Sequence, residues 1–399
     1  MAGAQETNPP GSILAVPGFT WWGTNIGIKD QSLDFGVIAS GRPCAAAGVF
    51  TRSNFPAAPV IVGREHLQSG RLQAIVVNSK SANAATGFTG IENARRMCRS
   101  IGAALGIAPE LVLPSSTGVI GMPLPIEKID AACRAVPRGL ATGAEAIALF
   151  ARAIMTTDTR PKIRSVRIGP ATLTGVAKGA GMIEPNMATM LSYLVTDAEI
   201  APAALKAMLA RCADRSFNRI TIDGDTSTND TVVVMANGQA GPIAPEAFEA
   251  GLLEAMRHLA KEIVRDGEGA TKLIEFDVTE APSPEAALAI AKSIANSPLV
   301  KTAIYGADPN WGRFVMAIGK VYAHPVPIEK LSIHFGDASA GLRISAGAHD
   351  PAMLERIRAY LRDAVLRIEV RLGSGSASET VWTCDLTEGY IKENAYYTS

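Results

Sequence analysis

The sequence is poor in the residues that crosslink a chain or hold a metal. Its five cysteines (Cys44, Cys98, Cys133, Cys212, Cys384) form no CxxC pair, and its five histidines (His66, His258, His324, His334, His349) form no HExxH or Cys/His ligand spacing. An odd number of widely spaced cysteines reads as reduced, buried side chains, not as a disulfide framework. The missing ligand cluster points to chemistry without a metal or other cofactor. Excess charge is missing too. The 38 basic and 38 acidic residues balance, and no run of like charge occurs, which argues against nucleic acid or an anionic membrane as partner. No apolar run approaches the roughly 18 residues that span a bilayer. The first basic side chain is Lys29, so the N-terminal stretch lacks both a charged signal-peptide region and the Arg-rich character of a transit peptide. The expected location is cytoplasmic. No Walker A string appears, and Asp223-Gly224-Asp225 has its glycine in the wrong place for a calcium loop.

What is present is a large apolar fraction. With 399 residues and 47% hydrophobic content, the chain can bury a core worth two or three domains, or one large layered fold. Short apolar runs bounded by turn signals recur at Ala46–Phe50, Pro59–Val62, Leu72–Asn78, Leu111–Leu113, Val166–Ile168, Met190–Val195, Thr231–Met235, Leu273–Val278, Leu331–Phe335 and Ile368–Leu372. The last alternates cleanly, with Glu369 and Arg371 opposite Ile368, Val370 and Leu372, as a half-buried strand does. Helical patterns lie between the runs: Ile91–Leu105, Gly143–Met155, Pro202–Arg215, Pro245–Arg265 and Pro284–Asn296. A further helix is expected from Asp350 as N-cap and Pro351 at the first position, with Met353, Leu354, Ile357, Leu361 and Val365 on one stripe. Many runs follow one another without a helix between them. That favours layered α/β with mixed or antiparallel sheets over a doubly wound nucleotide fold. Trp21 and Trp22 read as core or interface.

The stretch from Lys178 to Met190 runs from a glycine-rich loop through Pro185 into an apolar strand. Thr189, behind small Ala188, stands at the mouth of that strand. Attack of its hydroxyl on the preceding carbonyl would convert the peptide to an ester, and hydrolysis would make Thr189 a new N-terminus. The freed α-amine, with a reference pKa of roughly 7.7–8, could then serve as base for its own hydroxyl, one known way to activate threonine. A β-branched residue that merely opens a strand is the plainer reading of the same position. Ser115-Ser116-Thr117-Gly118 is open in the same way: a simple turn after a strand, or donors for the negative charge that acyl transfer builds on a carbonyl oxygen.

These segments resemble the ornithine acetyltransferase (glutamate N-acetyltransferase) family, whose members cleave themselves at an Ala-Thr bond. The likeness extends in order through Ala46–Thr51, Ser115–Gly121, Ile154–Thr159, Lys178–Leu191, Asp266–Leu273, Asn296–Arg313 and Asp385–Tyr390, and covers the chain from about Gly18 onward. The resemblance implies the family's α/β fold, a layered sandwich of two mixed or antiparallel sheets between helices (DmpA-like). It implies cleavage between Ala188 and Thr189 into chains 1–188 and 189–399, assembled as a heterotetramer. Thr189 would be the nucleophile, with Thr117 and Gly118 as oxyanion donors. Thr156, Lys178, Thr189, Glu268, Asn394 and Ser399 would bind substrate. Lys178 suits a carboxylate, and spacing alone does not separate Thr156 from Thr157. The implied reaction moves acetyl from N-acetylornithine to glutamate, with acetyl-CoA as a further donor to test. The alternatives are an N-terminal-nucleophile amidohydrolase, in which water takes the acyl group, and an uncleaved binding protein. Two features depart from the family: the Asn78–Ala84 string is less glycine-rich, and Glu184 replaces a small residue. Both look more like paralogues of clavam-type secondary metabolism.

Overall fold

The computed structural model describes residues 13–184, 190–347 and 350–396. Ala188, Thr189 and Ser399 therefore lie outside the described residues. The chain divides into two compact units. The first comprises the described residues of Met1–Asn218 and Thr226–Ile263, and the second comprises those of Arg219–Asp225 and Val264–Tyr397.

The first unit is built on eight strands: β1 (Phe19–Thr24), β2 (Phe35–Phe50), β3 (Arg71–Asn78), β4 (Val112–Ser116), β5 (Lys162–Ile168), β6 (Ala171–Lys178), β7 (Leu191–Glu199) and β8 (Thr231–Pro242). Their order is β4-β3-β2-β8-β7-β6-β5, with β1 also paired to β2. The sheet is mixed: β3 and β4 run parallel, as do β7 and β8, and the other pairs are antiparallel. β2 is 16 residues long, enough to serve two successive neighbours, and its register against β3 shifts between Ala39 and Cys44. Its first half pairs with β1 and its second half with β8.

Both faces of this sheet are covered, which is why its strands read as near-continuous apolar runs. On one face Ile38, Ile75, Val77 and Tyr193 pack with Ile147 and Phe150 of the helix Ala144–Ala153. On the other, Val37, Ala74 and Val76 pack with Ala94, Met97 and Ile101 of the helix Gly87–Leu105. Period-two alternation along β2 and β3 sends neighbouring residues to opposite cores.

The second unit holds β9 (Leu273–Ala281), β10 (Ser332–Phe335), β11 (Leu342–Ser345), β12 (Val365–Arg371) and β13 (Ala377–Cys384), ordered β11-β10-β12-β9-β13. One face is apolar. Ile274, Phe276, Ile368 and Val370 pack with Ile290 and Ile294 of the helix Pro284–Ala295 and Phe314 of the helix Trp311–Gly319. The opposite face is charged, with Arg367 pairing Asp277 at 2.7 Å and Arg371 pairing Glu369 at 2.9 Å. The α/β class with mixed sheets, expected from the run pattern, is what the chain forms, and its two sheets agree with what the resemblance implies.

Several local expectations are corrected. Pro59–Val62 lies in the helix Ala58–His66, with proline in its first turn. A four-residue apolar run does not distinguish strand from helix. Val365 is not on the stripe of the helix Pro351–Tyr360 but opens β12, while Asp350 does cap that helix by accepting from the Ala352 N–H at 3.0 Å. β6 escaped the pattern because Thr172, Thr174 and Gly175 interrupt its apolar run, although all eight of its residues are buried. Both threonine hydroxyls have partners: that of Thr172 accepts from Arg167 and that of Thr174 donates to the Leu14 carbonyl, both at 2.7 Å. All five cysteines are free and buried. Trp21 is in the core.

Candidate active site

The site begins with two chain segments that lock together side by side. The first follows β3, and the second follows its parallel neighbour β4. The Thr117 N–H donates to the Asn78 carbonyl, the Val119 N–H to Lys80 and the Ala82 N–H back to Val119, at 3.0, 3.0 and 3.1 Å. Two buried asparagines fasten the pair. The Asn78 amide oxygen accepts from the Ser116 hydroxyl at 2.7 Å, and the Asn229 amide donates to the Ala82 and Ser116 carbonyls at 2.6 and 2.8 Å. Gly118 sits inside this zipper at φ +128°, where a Cβ would collide with the Lys80 carbonyl. Only glycine combines that dihedral with so close an approach. The amides on either side of Gly118 are spent on the zipper, while its own N–H has no acceptor among the described residues.

Lys178 closes β6 and reaches the same place. Its ammonium donates to the Thr156 hydroxyl at 2.9 Å and to the Thr117 hydroxyl at 3.4 Å. It also lies 3.9 Å from the Asp158 carboxylate. Asp158, which the motif reading did not single out, organises this side. Fully withdrawn from solvent, it accepts from Lys162 at 2.7 Å, from the Gly179 N–H at 2.6 Å and from the Thr156 N–H at 3.1 Å. Burial pushes its carboxyl up, but the Lys162 and Lys178 charges and these hydrogen bonds outweigh it and hold the group well below the usual carboxylate range. Of the adjoining threonines, the structure sets Thr156 against Lys178. A carboxylate inside the Ile154–Thr159 block, four residues before a lysine, was the available signal for Asp158.

A second overlooked acid is Asp230, just ahead of β8. It is buried beside Thr51, Ser227, Lys178 and the backbone N–H of Met190, and burial raises its carboxyl well above the usual range. Its Oδ2 has no hydrogen-bond partner among the described residues. Met190 is itself anchored, its carbonyl accepting from the Thr231 N–H at 2.9 Å. Opposite it in the antiparallel register, Lys178 pairs with Leu191.

In the second unit the structure brings Glu268 and Asn394 together. The Asn394 amide donates to Glu268 at 2.8 Å and to the Tyr390 carbonyl at 3.0 Å. The two segments are stitched by Asp385, which accepts from the Thr271 and Lys272 amides at 2.8 and 3.0 Å. The Thr387 hydroxyl adds a bond to the Gly269 carbonyl at 2.6 Å. Among the described residues no group of three or more potential metal ligands occurs, and no helix is long and apolar enough to cross a membrane.

The family model described as the ArgJ family matches residues 20–399. The arginine biosynthesis bifunctional protein ArgJ 2 of Clostridium acetobutylicum is 47% identical over 96% of this chain and 97% of its own. Glutamate N-acetyltransferase Oat2 of Streptomyces clavuligerus is 43% identical over 96% of this chain and 98% of its own. Among solved structures, ornithine acetyltransferase complexed with ornithine from Mycobacterium tuberculosis is 35% identical, with a TM-score of 0.41 over 46% of this chain and 97% of that one. An α/β chain with this kinship is an acyltransferase. It belongs to the ArgJ family, and the resemblance read from its motifs is borne out.

Proposed function

We propose that this enzyme of arginine biosynthesis transfers an acetyl group from N-acetylornithine to glutamate through an ester on Thr189. The carrying observation is the convergence of the Thr117 hydroxyl, the uncommitted Gly118 N–H and the Lys178 ammonium. Thr117 accepts from Lys178, so its own proton is left to donate. With the Gly118 N–H, that makes two donors suited to a tetrahedral oxyanion. Thr189 is bonded to Met190, which is fixed at the start of β7 beside the end of β6.

Maturation comes first. The Thr189 hydroxyl attacks the Ala188 carbonyl carbon, the C–N bond breaks, and the hydroxyl proton ends on the freed amine. Water then hydrolyses the ester, leaving a carboxylate on Ala188 and a free amine and hydroxyl on Thr189. β6 and β7 stay hydrogen-bonded across the cut, so the products 1–188 and 189–399 share one sheet and remain associated, here assigned to a heterotetramer. In turnover the amine takes the hydroxyl proton as Oγ attacks the acetyl carbon, and hands it to the departing ornithine amine. Glutamate's amine then attacks the acetyl ester and restores the hydroxyl. Lys178, with Thr156 beside it, suits an amino-acid carboxylate, and the family resemblance adds Glu268, Asn394 and Ser399 as further substrate-binding residues.

Mass spectrometry of the purified protein tests this reading. Two chains meeting at 188/189 are expected, with an acetyl adduct on the 189–399 fragment when N-acetylornithine is supplied without glutamate. Thr189→Ala should stay full length and inactive. An intact wild-type chain that still transfers acetyl would refute the self-cleavage, and free acetate in place of N-acetylglutamate would make the protein an amidohydrolase.

A further inference from the structure

The zipper that holds Gly118 contains a lysine in an unusual backbone state. Lys80 has φ +80°, in the left-handed region that side-chain-bearing residues rarely adopt. Its carbonyl is needed there, because it accepts from Val119 and leaves Gly118 between two anchored amides. Glycine would meet that backbone requirement without strain, so the side chain is not there for the turn. Strain of this kind gathers at functional sites.

Lys80, whose backbone packs against Gly118 and Val119, shares this neighbourhood with two other lysines. Lys29 is lowered to about 8, chiefly by burial, with Lys178 and Lys80 both acting on it as like charges against the opposing pull of Asp34 and Asp158. The other two amines are committed. Lys29 donates to the Leu33 and Met155 carbonyls at 3.1 and 2.6 Å, and Lys178 donates to Thr117 and Thr156. Lys80 is half-buried and has no ion-pair or side-chain hydrogen-bond partner among the described residues. Lys178 and Lys80 are both near enough to act on Lys29, so three lysines, one of them uncommitted, form a local positive field that favours an anion, and lysine offers a mobile point charge for it.

We propose that Lys80 is a specificity-determining residue that receives the side-chain carboxylate of the acceptor amino acid. The inference rests on the acetyl-transfer reading for the identity of the acceptor. Glutamate brings two carboxylates, one for Lys178 and the second for Lys80. N-acetylornithine brings one carboxylate and a side-chain ammonium that Lys80 repels. A purely structural residue would shift both substrates in the same direction, whereas Lys80 separates them.

The test uses the full-length protein with Lys80→Gly, Lys80→Met and Lys80→Arg. Lys80→Gly relieves the left-handed backbone, so it should melt no lower than wild type and report on the charge alone. The ratio of KM for glutamate to KM for N-acetylornithine should rise about tenfold in the Gly and Met variants, as expected for loss of one charge-assisted contact, and stay near wild type in Lys80→Arg. Calorimetric titration with glutamate and with glutamine reads the same contrast without turnover. The wild type should prefer glutamate about tenfold, a preference lost in Lys80→Gly. A glutamate preference equal in wild type and Lys80→Gly overturns the proposal, even where acetyl transfer proceeds. Absent acetyl transfer together with a wild-type glutamate preference that Lys80→Gly abolishes overturns the transfer reading and leaves Lys80 as a carboxylate site.

Discussion

Lys162 and Asp158 meet at 2.7 Å with both side chains withdrawn from solvent, and Asp158 also accepts from the Gly179 and Thr156 amides. The pair thereby fixes the two segments that present Thr156 and Lys178. Removing one member of a buried pair leaves an uncompensated charge. Asp158→Ala is therefore expected to destabilise the protein by about 3–5 kcal/mol, read from urea or thermal unfolding. Because the folded carboxyl is held below its unfolded value, its contribution is present above the unfolded pKa of roughly 3.9. It is lost as pH falls through the folded pKa. Comparing wild type and Asp158→Asn from pH 7 downward should show the stability difference shrinking with acid. A constant difference would mean that Asp158 acts by packing alone.

Gly118→Ala forces a methyl into the Lys80 carbonyl at a positive φ. A cost of about 1–3 kcal/mol is expected for the strained backbone. Turnover should fall further than stability, because the Gly118 N–H is displaced with the backbone. Loss of one oxyanion donor costs on the order of 10²–10³ in kcat, and Thr117→Ala should show the same loss in a better-folded protein. Circular dichroism and steady-state kinetics on the two variants separate strain from chemistry. Wild-type kcat in Thr117→Ala would remove that hydroxyl from the mechanism.

Asp230 tests the opposite sign. Burial raises its folded pKa well above the usual carboxylate range, so the folded state holds a proton that the unfolded chain has released above roughly pH 3.9. Its contribution to stability therefore falls as pH rises from the unfolded pKa through the folded one. Asp230→Asn keeps the shape of the neutral acid and removes this dependence. Relative to wild type, the variant should gain stability from pH 5 to pH 8 in parallel urea titrations. A variant that loses stability across that range would mean Asp230 is charged in the folded protein.

The Asn394–Glu268 contact of 2.8 Å predicts a shared defect. Asn394→Ala and Glu268→Gln should each raise KM for the amino-acid substrates. The double variant should show less than the sum of the two effects, as residues in direct contact do. Deleting 394–399 should depress transfer while leaving cleavage before Thr189 largely intact. Additive effects, or a truncated enzyme with wild-type KM, would separate these residues from substrate binding.

Strand and helix patterns determined much of this fold directly. β3, β7, β8 and β9 are legible because both faces or one whole face is apolar, and the helix Pro245–Arg265 is bounded as read. The motif blocks, through their family resemblance, also carry the candidate residues Thr117, Thr156, Lys178, Glu268 and Asn394. Only the tertiary structure decided which blocks meet. Parallel pairing of β3 with β4 brings the Asn78–Ala84 string alongside Ser115–Gly121, so a string read as a departure from the family became the wall of the candidate oxyanion site. Asp158 and Asp230 escaped the sequence because a lone carboxylate carries no sign of its burial. Its charge state depends on lysines and amides brought near by pairing between distant strands, and hydrophobic periodicity contains no information about those partners.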